Sequence, residues 1–157
     1  AISLIDKVNF EYHIIGDGDD TSRLINKAKK LNISKYIKFR GYLSDVSRDN
    51  LFKTSRICLM PGTDKTFDKY PYRFSFLEAA SHGLHIIATK PAKKELNIAK
   101  KYKNYNFVNS RDRFAISKKI IELLNKKNMY CNKLKNDFSF QKFKMNLVQN
   151  INIILKD

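Results

Sequence analysis

The chain predicts an α/β fold of the doubly wound class, a parallel sheet with helices on both faces. Three observations carry that prediction. Short β-branched and aromatic runs alternate with helical patterns along the chain, as in successive βαβ units. Two of the early strand patterns end in glycine, at Gly16 and at Gly41. The segment 74–83 reads as a short helix closed by Gly83, and a largely apolar run, 84–88, follows it at once. Strands buried on both faces of a parallel sheet lack polar alternation in this way.

The elements follow in order. Residues 1–8 look like the second half of a helix, so the chain is expected to begin within a domain of a longer protein. Residues 10–15 form a strand that ends in the turn Gly16-Asp17-Gly18-Asp19-Asp20-Thr21. The next helix carries Leu24, Ile25, Ala28 and Leu31 on one face and Lys27, Lys29 and Lys30 elsewhere, with Asn32 as a C-terminal stop. Residues 36–40 form a second strand, stopped by Gly41. A short helix with Leu51 and Phe52 is capped by Ser47 or Asp45. Residues 57–60 are a third strand, closed by Pro61-Gly62, and a polar loop runs to Pro71. The helix 74–81 and the strand 84–88 come next. Residues 93–102 form a short helix and 105–108 a last strand. Residues 112–127 form an amphipathic helix with Ile116, Ile120, Leu123 and Leu124 on one face, and 138–155 a final helix with Phe140, Phe143, Leu147, Ile151 and Ile154. With no repeat, low-complexity tract or linker, residues 1–157 are expected to form a single domain.

At 157 residues and 43% hydrophobic content, the chain can bury a core. It has no apolar run long enough to span a bilayer and no secretory signal. Cys58 and Cys131 lie far apart; Cys58, inside an apolar run, is a small core residue and a disulfide is not expected. A cytoplasmic setting fits. The net charge of +16, from 31 Lys and Arg against 15 Asp and Glu, attracts polyanions. A solvated lysine face accounts for it equally well, because Lys, Asn, Ile and Tyr are abundant together, as AT-rich bacterial codon usage produces. Aromatic and basic residues do not interleave as single-stranded nucleic-acid binding requires, so no nucleic-acid partner is expected. The last helix is amphipathic and basic: it is either packed core or a contact to a membrane surface.

Four patterns can carry chemistry. Gly16 and Gly18, at a strand-to-helix turn, let a phosphate approach the backbone, or they simply make a tight turn before a helix capped by Asp19 or Asp20. The triplet Asp17-Gly18-Asp19 also matches a metal-binding Asp-x-Asp pattern, although acidic residues belong at helix starts in any case. Arg40, Gly41 and Tyr42, at a strand end, either give a flat ring a place against the backbone or form an ordinary turn. In the helix 74–81, Glu78 stands among Phe74, Phe76, Leu77, Ala79 and Ala80, so it is either a partnered carboxylate or a solvated one. Arg73 at the start of that helix sits where the dipole favours an anion, and so points to a phosphate. His82 and His85 read as structural.

These pieces in their order, a strand ending in Gly-x-Gly, a strand ending in Phe39-Arg40-Gly41, a strand ending in Pro61 and the Leu77-Glu78-Ala79-Ala80-Ser81-His82-Gly83 helix before an apolar strand, resemble the C-terminal, nucleotide-sugar-binding half of retaining GT-B glycosyltransferases of the group 1 family. The resemblance covers roughly residues 8–127. It implies a donor site in which Glu78 holds the ribose hydroxyls, the backbone of Phe74, Ser75 and Phe76 faces the diphosphate, Arg40, Gly41 and Tyr42 lie against the base, and Gly16 opens the glycine turn at the cleft. It implies a nucleotide-diphosphate sugar as donor, no metal and no cofactor, and a glycan or lipid-linked acceptor bound by a missing N-terminal domain. Catalytic side chains from that half lie outside the chain, and helix 138–157 would reach back toward it. Surface polysaccharide or lipopolysaccharide biosynthesis, at the inner face of the plasma membrane, would fit the charge. A non-catalytic nucleotide-binding module and a basic nucleic-acid-binding domain are the other classes. The chain departs from the family pattern where a first glutamate should stand, at Tyr70, and where a proline usually follows the helix glycine, at Leu84-His85. The family's phosphate-binding Arg and Lys would precede residue 1.

Overall fold

Five strands and four α-helices form among the residues described by the structure, a computed structural model that covers 1–5, 9–60, 74–89, 104–109 and 111–128. A 3₁₀ turn at Ile2–Leu4 precedes β1 (Tyr12–Ile15) and α1 (Thr21–Lys30). A second 3₁₀ turn at Ser34–Tyr36 leads into β2 (Ile37–Gly41), α2 (Asp45–Thr54) and β3 (Ile57–Met60). Then come α3 (Phe74–Ser81), β4 (His85–Ala88), β5 (Tyr105–Phe107) and α4 (Arg113–Leu124). The helical start expected for residues 1–8 is therefore a 3₁₀ turn over its described part. The helices expected at 93–102 and 138–155 lie outside the described residues, as do Cys131 and residues 61–73, Tyr70 among them.

All strand pairs are parallel, and the doubly wound class is observed with its hydrogen bonding divided between two sheets. β1 pairs with β2, Tyr12 opposite Ile37, with a register shift between Ile14 and Ile15. β3, β4 and β5 form the second sheet in that order, with Ile57 opposite His85 and Ile86 opposite Tyr105. A cavity of about 910 Å³ runs along the seam, lined among others by Tyr12, Ile14, Phe52, Cys58, Met60 and Leu84.

β4 is the centre of the core, and every one of its residues is buried. Successive side chains of a strand point to opposite faces. Ile86 and Ala88 accordingly join Phe52 of α2 and Ala79 and Ala80 of α3 in one cluster. Ile87 joins Ile116, Ile120 and Leu123 of α4, and Ile5, in the other. This is why residues 84–88 show no polar alternation. β1 and β2 contribute no fully buried residue.

The helix ends explain where the chain turns. α1 closes with the left-handed Asn32 (φ 53°), whose N–H donates to Lys29 O while the Ile33 N–H reaches Ala28 O at 3.0 Å. These two bonds make a Schellman closure. Its lysines at the last turn complement the helix dipole. The apolar face of α1 is only partly covered: Ala28 is buried, whereas Leu24 and Leu31 are exposed. Asn32→Gly relieves the left-handed strain and should stabilise the fold by about 0.5–1 kcal/mol, read from the urea midpoint; no gain would mean that Asn32 makes compensating contacts.

α2 is capped by Ser44, not by Ser47 or Asp45: its Oγ accepts the Ser47 N–H at 3.2 Å. Ser44 lies within one turn of the two expected caps, and it has the extended backbone that a cap requires, whereas Asp45 and Ser47 are already helical. Asp20 occupies the N-cap place of α1 but does not cap it, because its carboxylate is drawn to Arg23 at 2.7 Å. Asp112 caps α4 through Phe114 and Ala115 N–H. At the other end of α4, the Arg56 guanidinium donates to Leu124 O at 2.8 Å and ties the helix to the start of β3.

Candidate donor-binding site

In parallel sheets the strand C-termini share one edge, and the helices that follow them begin there. At that edge of the first sheet two of the sequence motifs meet. The Gly16 N–H donates to Gly41 O at 2.7 Å, and the two residues form an isolated bridge. Both have positive φ, 102° and 60°. A Cβ added at either would meet nothing within 4 Å, so it is the backbone conformation and not lack of room that calls for glycine.

The Asp17 side chain braces the rest of the Gly16 turn. Asp17 Oδ1 accepts the Gly18 N–H at 2.9 Å and the Thr21 hydroxyl at 3.1 Å. Among the described residues no group of three or more His, Cys, Asp or Glu side chains is placed to hold a metal ion. At the end of β2 the Arg40 side chain turns back along the sheet, and its Nε donates to His13 Nδ1 at 3.0 Å. His13 Nε2 in turn meets Glu11 at 3.1 Å. Tyr42 is 83% exposed, and Val46 of α2 is exposed as well.

Glu78 is partnered. Its Oε1 accepts from Arg48 Nε at 3.0 Å and lies 2.9 Å from Arg48 Nη2. Arg48 belongs to the first turn of α2 and also holds Asp45 at 3.0 Å. One turn farther along, His82 Nε2 meets Asp49 Oδ1 at 2.6 Å, its Nδ1 lies 2.9 Å from Glu78 O, and its ring packs on Phe52. Asp49 is also paired to Lys53, and the two partners, Lys53 foremost, hold its carboxyl below the usual carboxylate range. His82 is thus structural, as is His85, buried with Nε2 3.0 Å from Lys127 O. Beneath the helix pair, burial foremost and then the nearby Glu78 charge push the Cys58 thiol up to about 12. Cys58 is partly buried against the Phe52, Ala79 and Ala80 cluster and lines the cavity, and a thiol so raised is a poor nucleophile.

The structure therefore joins Gly16 to Gly41 and places Glu78 between α3 and α2. It sets Arg40 against His13 and leaves Tyr42 open. The backbone of Phe74, Ser75 and Phe76 opens α3, while Arg73 lies outside the described residues. Arg48 and Asp49 went unnoticed in the sequence, because a helix reading Asp45-Val46-Ser47-Arg48-Asp49 looks like a solvated face. The available signal was the spacing of Glu78 and His82, four residues apart on one face of α3.

Residues 1–143 match the family model for glycosyl transferases group 1. The chain belongs to that family. The fold of this group 1 chain is similar to that of a sucrose-phosphate synthase from Thermosynechococcus elongatus, with a TM-score of 0.72 at 13% identity over 92% of the chain. It is also similar to WaaG, a glycosyltransferase involved in lipopolysaccharide biosynthesis, with a TM-score of 0.57 at 20% identity over 85% of the chain. The group 1 chain spans 38% of the length of the synthase and 33% of that of WaaG. No curated protein sequence matches it. No helix among the described residues is long and apolar enough to cross a membrane.

Proposed function

We propose that this domain is the donor-binding half of a two-domain retaining glycosyltransferase. The observation that supports it best is Glu78. Its carboxylate is held by Arg48 on one oxygen, yet the side chain keeps 36% of its surface exposed. A carboxylate in that state can accept two hydroxyls of a ribose. The N-terminus of α3, with the backbone of Phe74, Ser75 and Phe76, faces the diphosphate and stabilises it as it leaves. Gly16 and Gly41 keep the cleft edge free of side chains, and Tyr42 supplies an exposed ring for the base. In the reaction the bond from the sugar's anomeric carbon to the phosphate oxygen breaks. The electron pair leaves with the nucleoside diphosphate, and the acceptor oxygen forms the new bond on the same face. The acceptor and the groups that handle its proton are supplied by the other half.

The test is ligand-observed NMR of this chain with UDP, GDP, ADP and CMP, for wild type and Glu78→Ala. Selective binding of one nucleoside diphosphate, lost in the variant, is the expected result; binding unaffected by the variant would refute the assignment.

The acceptor is proposed to be a lipid-linked or surface glycan of the lipopolysaccharide kind, with the basic domain held peripherally at the inner face of the plasma membrane. The charge of +16 and the lysines at the end of α1, beside the exposed Leu24 and Leu31, support this. Sedimentation with vesicles should rise severalfold when a third of the lipid is made anionic and fall again at high salt. Indifference to lipid charge would remove the membrane from the proposal.

A further inference from the structure

Arg48 and Asp49 of α2 face Glu78 and His82 of α3 in a reciprocal arrangement: a cation opposite a carboxylate, then a carboxylate opposite a histidine one turn on. The two contacts cross between helices that follow different sheets. α2 follows β2 of the first sheet and α3 comes after β3 of the second. An isolated surface pair would leave the Glu78 side chain free to sample several rotamers. Here the Arg48 fork grips Oε1 from two nitrogens, at 3.0 and 2.9 Å, and a third contact to Asp45 holds the guanidinium itself. Among the described residues both contacts to the Glu78 carboxylate fall on that one oxygen.

We infer that Arg48 is a positioning residue for the nucleotide donor: it fixes one oxygen of Glu78 so that the other is aimed at the ribose hydroxyls. This goes one step past the assignment of Glu78 as the ribose ligand, on which it rests. Its chemical content is specific. Arg48 touches no part of the donor and contributes only to the share of affinity that the hydroxyls supply. It pre-orders the carboxylate, so the ligand need not. Lysine, a point charge on a flexible stem, can keep the attraction but not the fork.

The experiment measures affinities of ADP, GDP and UDP, each beside its 2′,3′-dideoxy analogue, for wild type, Arg48→Ala, Arg48→Gln, Arg48→Lys and Glu78→Gln. Arg48→Gln keeps the side-chain stem in place should the alanine variant fail to fold, and thermal melts establish folding in each case. For the nucleotide that binds, wild type should prefer the ribose form by about tenfold or more. Arg48→Ala and Arg48→Gln should lower that ratio by about three- to fivefold while the dideoxy analogue binds as before, and Arg48→Lys should fall between. A ratio kept by Arg48→Ala but lost by Glu78→Gln overturns the role of Arg48 and leaves the donor assignment standing. A ratio kept by both, or near unity in wild type, overturns the two together. Equal weakening of both ligand forms marks Arg48 as a structural brace, and tighter ribonucleotide binding marks it as a competitor for Glu78; either overturns the inference.

Discussion

Glu78→Gln is expected to weaken nucleoside diphosphate binding by about 100-fold while barely moving the melting temperature. The two halves of that result have different causes. Hydrogen bonds to a charged group contribute about 1.5–3 kcal/mol each, and a carboxylate shared by two ribose hydroxyls makes two of them, so about 3 kcal/mol is at stake. The amide keeps the shape but one of its two acceptor oxygens becomes a donor, and the charge is gone. For stability, the lost partner is Arg48, whose side chain is 30% exposed and retains Asp45 at 3.0 Å. Screened pairs of this kind are worth less than about 1 kcal/mol. Parallel titration calorimetry and thermal melts separate the two effects. A large fall in melting temperature without a change in affinity would make Glu78 a structural residue.

Ile86→Ala has the opposite profile: about 3–4 kcal/mol of stability, read by urea unfolding, with no direct effect on ligand contacts. Ile86 lies in the central strand at 0% exposure, with β3 and β5 on either side and Ala79 and Ala80 of α3 against it. The surrounding residues come from rigid elements on three sides, so the space left by the lost carbons cannot collapse, and cavity cost adds to the lost transfer energy. A loss below about 1 kcal/mol would mean that α3 follows the shrinking side chain inward. Ile87→Ala should cost as much through the α4 cluster, since the neighbouring residue points to the other face.

The contrast between these two positions also marks what the sequence could show. Ile86 and Ile87 announce themselves, because an apolar run between a helix-ending glycine and a polar stretch has few other destinations. The same holds for Asn32, Gly16 and Gly41, whose backbone conformations restrict the residue type locally. Glu78 was legible through its apolar neighbours. Arg48 was not, because its partner lies 30 residues away and nothing within its own helix distinguishes it from a solvated cation. The capping of α2 was misplaced for a related reason: Ser44, Asp45 and Ser47 are all competent caps, and the choice depends on where β2 releases the chain. The division of the sheet was likewise out of reach. β1 and β3 are not consecutive, and no residue pattern in either announces the cavity that separates them.

That seam has a kinetic meaning. β1 and β2 hold each other by their own ladder and place no side chain wholly within either buried cluster, whereas β4 is enclosed on every side. The first sheet is therefore expected to open at lower free energy, with hydrogen exchange reaching its amides before those of β4. A ligand that touched Gly16 on one side and Glu78 on the other would bridge the two, and the work of closing the weaker unit would be drawn from its affinity.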